Sequence, residues 1–471
     1  MVTGNGHMNT GISLRIGVFF DGTGNNLANS SLVAHCLDPG AGLEDQREAI
    51  LRHCERYGYD GQGNAPDNSY GSDKTNVARL YESYQPSQDV LKVYIEGVGT
   101  TNAGADSPLA KASGRYRTGV IARTAQAHQQ VLQQLHHWSD NHPQAKVHAL
   151  QFDLFGFSRG AAAARHFAND LRKGSNSGLA KRWPARLTLL CEHFDWNAND
   201  NLNIQFIGLF DSVAAIVAVL NGNFSPANAD YSGVEMKLEA GTARTIVQLA
   251  ARDELRRNFP LTRTDNDFTV PGAHSDVGGG YPARVREQVV LVRPRTSVEP
   301  RSLANERSQA YLRTQQDYLD NRLAWQALPV DTLTWSEDLP FVPKRDLYPQ
   351  KRVIALLRCE REVFAGLSLI YLRIMHELGV RNGAPLRALD DRQGPGLPEE
   401  LQGIATKLRA YVLGEQPAPG LTAEEELLLR TRYIHLSSHW NRAGHLGGDG
   451  AQVMFFHRPG DNGQRSVFPN E

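Results

Sequence analysis

HALQFDLFGFSRGAAAAR, residues 148–165, sets the architecture. His148 to Phe157 is a largely apolar run that closes on a glycine turn, the profile of a buried strand. Gly156-Phe-Ser158-Arg-Gly160 follows, and then an Ala-rich stretch to Arg172 that reads as a helix. A strand passing into a helix through Gly-x-Ser-x-Gly is the context of a nucleophile elbow. Small residues two before and two after the serine let strand and helix come close. The turn points the hydroxyl out at the carboxyl edge of a sheet and sets it at a helix N-terminus. The dipole there, with the N–H of Arg159, favours a developing oxyanion. The competing reading is a structural turn with Ser158 as a helix N-cap.

Other strands flank this one. Leu14 to Phe20 is a short apolar run ending at Asp21-Gly22, Leu91 to Val98 a second, Ile204 to Phe210 a third and Phe268 to Ala273 a weaker fourth. From Gly119, Ile121, Ala125, His128, Leu132 and Leu135 fall on one helical face. Strands alternating with helices predict an α/β fold, a mostly parallel α/β-hydrolase-like sheet covered on both sides. Residues 30–75 and 99–118 are polar and Gly-rich, as in long surface loops.

The second half has another character. Tyr311, Tyr318 and Trp325 recur every seven residues. Val363, Phe364, Leu367, Ile370, Tyr371 and Ile374 form one helical stripe, and Leu401, Ile404, Leu408 and Tyr411 another. Thr422-Ala-Glu-Glu425 matches a capping box. These patterns predict three parts: a catalytic core over 1–290, a mainly helical cap or membrane-facing module over 291–430, and a segment over 431–471. Short strands at Val453–His457 and Arg465–Phe468 would pack that last segment on the core.

Composition limits the function. Of 471 residues, 50 are Lys or Arg and 51 Asp or Glu, a balance that disfavours nucleic acid as a partner. Val213 to Leu220 is the longest notable apolar run, too short to span a bilayer, and reads as a buried helix or the lining of an acyl groove. The N-terminus shows no secretory leader, so synthesis in the cytoplasm is expected. Cys36, Cys54, Cys191 and Cys359 make no CxxC pair and are expected as scattered reduced thiols.

A serine needs a base and an orienting acid, which in this fold type follow in the order Ser, Asp or Glu, His. Asp211 directly follows the strand Ile204–Phe210, and His274 follows Phe268–Ala273 in the run HSDVGGGY, where glycines would present the imidazole from a loop. His435 is a rival base. The second oxyanion donor is expected from Phe19-Phe-Asp-Gly22-Thr23-Gly-Asn-Asn26, through the N–H of Gly22 or Thr23. Asp21 fixes that loop or shares in the chemistry. No cofactor is expected and no metal. Gly114-x4-Gly119 lacks the Lys-Ser/Thr of a phosphate loop, and His435 and His439 lack the glutamate of a zinc-protease helix.

FFDGTGNN (19–26), TNVARLY (75–81), YIEGVGT (94–100), FGFSRGAAAAR (155–165), GLFDSVA (208–214) and HSDVGGGY (274–281) together resemble the first family of type VI secretion lipase effectors. The resemblance spans about residues 14–282. It implies phospholipase activity, with Ser158, Asp211 and His274 at the triad positions. It further implies a membrane phospholipid substrate, a secretion spike protein and an immunity protein as partners, and injection into rival cells. A soluble carboxylesterase or thioesterase, and a catalytically idle hydrolase fold used for binding, are the alternatives.

Overall fold

A computed structural model describes residues 11–32, 36, 54–55, 72–100, 119–213, 233–341, 347–389, 396–441 and 457–471. In chain order its first strands are β1 (Ile12–Phe20), β2 (Val90–Ile95), β3 (Val147–Phe157), β4 (Leu202–Phe210), β5 (Thr245–Ala251), the two-residue β6 (Leu261–Thr262) and β7 (Asp267–Val270). Six of these form one sheet in the order β2-β1-β3-β4-β5-β7, and every pairing is parallel. The chain winds one way from β1 to β2 and the other way from β3 onward. The direction therefore reverses between β1 and β3, and ligands of open α/β sheets bind outside the carboxyl ends at such a point. Ser158 follows β3 there, and the loop from Asp21 follows β1.

Both faces of the sheet are buried, which is why its strands read as apolar runs. Ile16, Val18, Phe152 and Leu154 pack with the helices Val120–Asn141 and Arg159–Leu171. Phe19, Phe155 and Phe157 pack on the other face with the helix Gly366–Arg381, through Tyr371 and Met375. Within the sheet, the fully buried Asp153 is bound by a two-pronged contact from Arg15 (2.7 and 2.8 Å) and by the hydroxyl of Tyr84 at 2.9 Å. The helix after Gly119 forms as expected, with His128, Leu132 and Leu135 buried. Arg123, Val131 and Trp138 join that buried face, whereas Ile121 is half exposed.

The expectation of a mainly helical region from 291 holds only in its latter part. β8 (Arg284–Val290), β9 (Arg295–Pro300), β10 (Val330–Asp338) and β11 (Gln350–Phe364) make a second, antiparallel sheet. Every second residue of the 15-residue β11 is buried, the alternation of a strand with one wet face. Val363 and Phe364 end this strand rather than starting the helical stripe, and Trp325 lies beyond the helix Gln309–Asn321. The helices Gly366–Arg381, Gln402–Val412 and Ala423–Arg432 do form, the last with both capping-box bonds at Thr422 and Glu425 (2.7 and 3.2 Å). β12 (Val467–Phe468) adds in parallel to β6. Val453–Phe456 and residues 214–220 lie outside the described residues, as do most of the two long loops. Cys36 and Cys54 are joined in a disulfide, which corrects the expectation of four reduced thiols; Cys191 and Cys359 are free.

Candidate active site

Ser158 stands between β3 and the helix Arg159–Leu171 with φ 58° and ψ −127°. Such a conformation costs a non-glycine residue about 1–3 kcal/mol and persists only where the surroundings enforce it. The flanking glycines show how. A Cβ on Gly156 would lie 2.6 Å from Ala161 Cα, and one on Gly160 would lie 2.3 Å from the carbonyl oxygens of both Phe20 and Asp21. The Ser158 side chain accepts no capping hydrogen bond from the helix, so the N-cap reading fails. The elbow is tied to β4 through its backbone, with Ser158 N–H donating to Phe210 O at 3.1 Å.

Asp211 follows β4 and is the second of three non-glycine residues with positive φ among those described, at 41°. Its N–H donates to Leu249 O at 2.8 Å, which anchors it to β5, a strand the sequence reading did not anticipate. Asp211 Oδ1 accepts from Ala251 N–H at 2.8 Å, and Oδ2 accepts from His274 Nδ1 at 2.6 Å. With Nδ1 engaged as donor, Nε2 is left as the basic nitrogen of the neutral ring. His274 opens a short helix, His274–Gly278, rather than sitting in a loop. Its ring packs on Phe157, the residue before Ser158, at 4.6 Å and on Phe259 at 4.9 Å. Ser158 and His274 are each only 4% exposed, yet both line one cavity of about 550 Å³ with Thr23, Arg159, Arg256 and His435.

The electrostatics follow from this enclosure. Burial pushes the Asp211 pKa up, but the Arg465 guanidinium and His274 outweigh burial and hold it well below the ordinary carboxylate range. Arg465 forks onto both Asp211 oxygens, at 2.8 and 2.7 Å. Nothing in the sequence marked this residue, 254 positions away in a polar tail. Burial lowers the His274 pKa below the ordinary imidazole value, against the opposing pull of Asp211.

The loop after β1 is held by its own carboxylate. Asp21 accepts from Tyr94 Oη at 2.5 Å, Thr75 Oγ1 at 2.7 Å and the N–H of Gly22 at 2.7 Å. Burial dominates and raises its pKa to about 6. Gly22 N–H is thus already committed, and Gly22 is absent from the cavity wall, whereas Thr23 and Arg159 are on it. Asn76 Nδ2 donates to Val277 O at 2.9 Å, tying the Thr75–Tyr81 stretch to the helix that carries His274. Four of the quoted sequence motifs therefore meet in one hydrogen-bonded framework.

His435 also lines the cavity, but its carboxylate is Asp276, at 2.6 Å from Nδ1. Asp21 and Asp276 are each occupied by protein donors. Residues 435–441 are not helical, so His435 and His439 do not share a helix face.

A parallel sheet with a strained serine after its third strand, and on the same cavity a histidine paired with a buried aspartate, defines an α/β-hydrolase-like protein. Residues 58–182 match the family model described as T6SS, phospholipase effector Tle1-like, catalytic domain. Over these residues the chain is similar to the catalytic domain of Tle1-like phospholipase effectors of type VI secretion. A solved Tle1 effector bound to the VgrG spike of that system is similar at 26% identity and TM-score 0.73, over 98% of this chain and 94% of that one. An uncharacterised protein from Pseudomonas aeruginosa matches at 18% identity and TM-score 0.41, over 89% of this chain and 52% of that one. No curated protein matches the sequence.

Proposed function

We propose that this protein is a type VI secretion effector and a serine phospholipase that cleaves acyl esters of glycerophospholipids through Ser158, His274 and Asp211. One observation carries the reading: His274, closed onto the buried Asp211 at 2.6 Å, lies on the cavity wall that also holds the strained Ser158. Ser158 Oγ attacks the ester carbonyl carbon while His274 Nε2 takes its proton. The tetrahedral oxyanion is met by the N–H groups of Thr23 and Arg159. As the intermediate collapses, His274 passes the proton to the departing alcohol, leaving an acyl-serine. Water, deprotonated by the same imidazole, releases the fatty acid. Asp211 holds the tautomer and offsets the charge of the imidazolium.

Delivery by a spike protein is supported by the Tle1 effector of similar fold, which was solved bound to VgrG. Injection into a rival cell, and an immunity protein that protects the producer, complete the proposal. The region from 291 is the membrane-facing side. There Leu312, Leu319, Leu323 and Trp335 are 51, 52, 76 and 43% exposed, apolar groups suited to a lipid interface.

The test is fatty-acid release from phospholipid vesicles, compared with hydrolysis of a short soluble ester. Release that disappears in Ser158→Ala supports the proposal. Turnover of the soluble ester alone would favour a carboxylesterase or thioesterase.

A further inference from the structure

In a hydrolytic triad the buried acid holds the imidazole in its tautomer and stabilises the imidazolium that forms. Here a buried cation shares that acid. Arg465 Nη1 donates to Asp211 Oδ2 at 2.8 Å and Nη2 to Oδ1 at 2.7 Å, while Nη2 also reaches Ala251 O at 2.8 Å. The Arg465 side chain is 6% exposed and Asp211 is fully buried. With His274 on Oδ2 and Ala251 N–H on Oδ1, each carboxylate oxygen accepts two hydrogen bonds. The plane of the carboxylate is thereby fixed, and with it the direction from which His274 is held.

We propose that Arg465 is a positioning residue of this site: its fork sets Asp211 toward His274 and balances the buried charge, which makes the docked C-terminal segment a working part of the hydrolase. The proposal rests on the serine-hydrolase reading above.

The charges around His274 form two balanced pairs. Asp211 is bound by Arg465. Glu254, whose Oε2 accepts from His274 N–H at 3.3 Å, is bound by Arg256 at 2.9 and 2.7 Å. The rings of Phe157 and Phe259 close the remaining sides. A lone buried carboxylate would draw a proton onto the imidazole at mildly acid pH. A carboxylate already paired with a guanidinium draws less, so the ring stays neutral, the form that accepts the serine proton. The His274 pKa, lowered by burial ahead of every other influence, agrees with this balance.

The segment bearing Arg465 is built to stay docked. Leu261 N–H donates to Ser466 O and Arg263 N–H to Phe468 O, both at 2.9 Å, around the β6–β12 pairing. Asn470 Oδ1 accepts from Arg165 Nη2 and from Leu238 N–H, also at 2.9 Å.

Full-length protein with Arg465→Met, and separately Arg465→Lys, tests the idea by two readouts. One is a histidine ring carbon NMR titration of His274; the other is the pH profile of kcat/KM on a soluble ester. In Arg465→Met the His274 titration should rise by about one pH unit or more, and the acid limb of activity should move up with it. Arg465→Lys should hold the limb near its native position but lower the plateau kcat, because an ammonium lacks the planar fork. A folded Arg465→Met with native titration and native acid limb would make the residue merely structural and overturn the proposal. If the Met variant does not fold, a native plateau kcat in Arg465→Lys overturns it instead. The titration needs no turnover, so a native protein inactive on every ester would defeat the hydrolase reading while still judging Arg465.

Discussion

Asp276 holds His435 twice, through Oδ1 to the ring Nδ1 at 2.6 Å and through Oδ2 to the peptide N–H at 2.9 Å. Asp276 belongs to the same short helix as His274, so this pair braces the segment around His435 against the helix that presents the proposed base. The His435 ring also stacks on Tyr281 at 3.8 Å. His274 and His435, two of the four histidines that line the cavity, thus have separate acids.

His274→Ala should therefore lower kcat/KM about as far as Ser158→Ala does, by roughly a thousand-fold or more. His435→Ala should act mainly on stability, at about 1–3 kcal/mol for the lost buried ring hydrogen bond to Asp276, with kcat/KM within about ten-fold of native. Ester hydrolysis and thermal unfolding on the same three variants check this. A larger kinetic loss for His435 than for His274 would exchange their roles.

Gly160→Ala should disrupt the elbow. Its Cβ would meet two backbone oxygens at 2.3 Å, and neither can move without shifting the end of β1. The expected loss of stability is at least about 1–3 kcal/mol, with hydrolysis falling further because the Asp21 loop moves too. Ser158→Gly should do the opposite to stability, raising it by about 1–3 kcal/mol as the positive φ is relieved, while abolishing turnover. Denaturant melts of both variants read this directly.

Asp21 predicts a pH dependence of stability. Its folded pKa, raised by burial to about 6, lies above the unfolded value of about 3.8. In that window the native state holds the proton that the unfolded state has lost, so the contribution of this group falls as pH rises from about 4 to about 6. Asp21→Asn should remove that downward slope from a plot of Tm against pH. A slope unchanged by the substitution would assign it to other groups.

Leu319→Glu with Leu323→Glu should reduce fatty-acid release from vesicles by about ten-fold or more and leave soluble-ester turnover within about two-fold, since charges on a lipid-facing surface oppose insertion. Parallel loss on both substrates would remove this face from the membrane reading.

The parallel core was legible because buried parallel strands are written as apolar runs, and the elbow because two small residues must flank the serine. β5 escaped because TIVQLAA carries Gln248 in its centre, a fully buried amide spent on hydrogen bonds to the neighbouring β6 and β7. The antiparallel sheet escaped for another reason. Its wet face carries cross-strand pairs, Arg284 with Glu362 and Arg286 with Glu360, and these charges hid the two-residue alternation of β11. Ser158, Asp211 and His274 could be chosen from position after strands. Arg465 could not, because only the folded chain brings residue 465 to residue 211.

The most direct measurement of the central claim is labelling by a fluorophosphonate, with the modified peptide located by mass spectrometry. The account predicts one modification, at Ser158, absent from Ser158→Ala and strongly slowed in His274→Ala. A native, folded protein that takes up no label, or takes it at another serine while Ser158 stays unmodified, would contradict it.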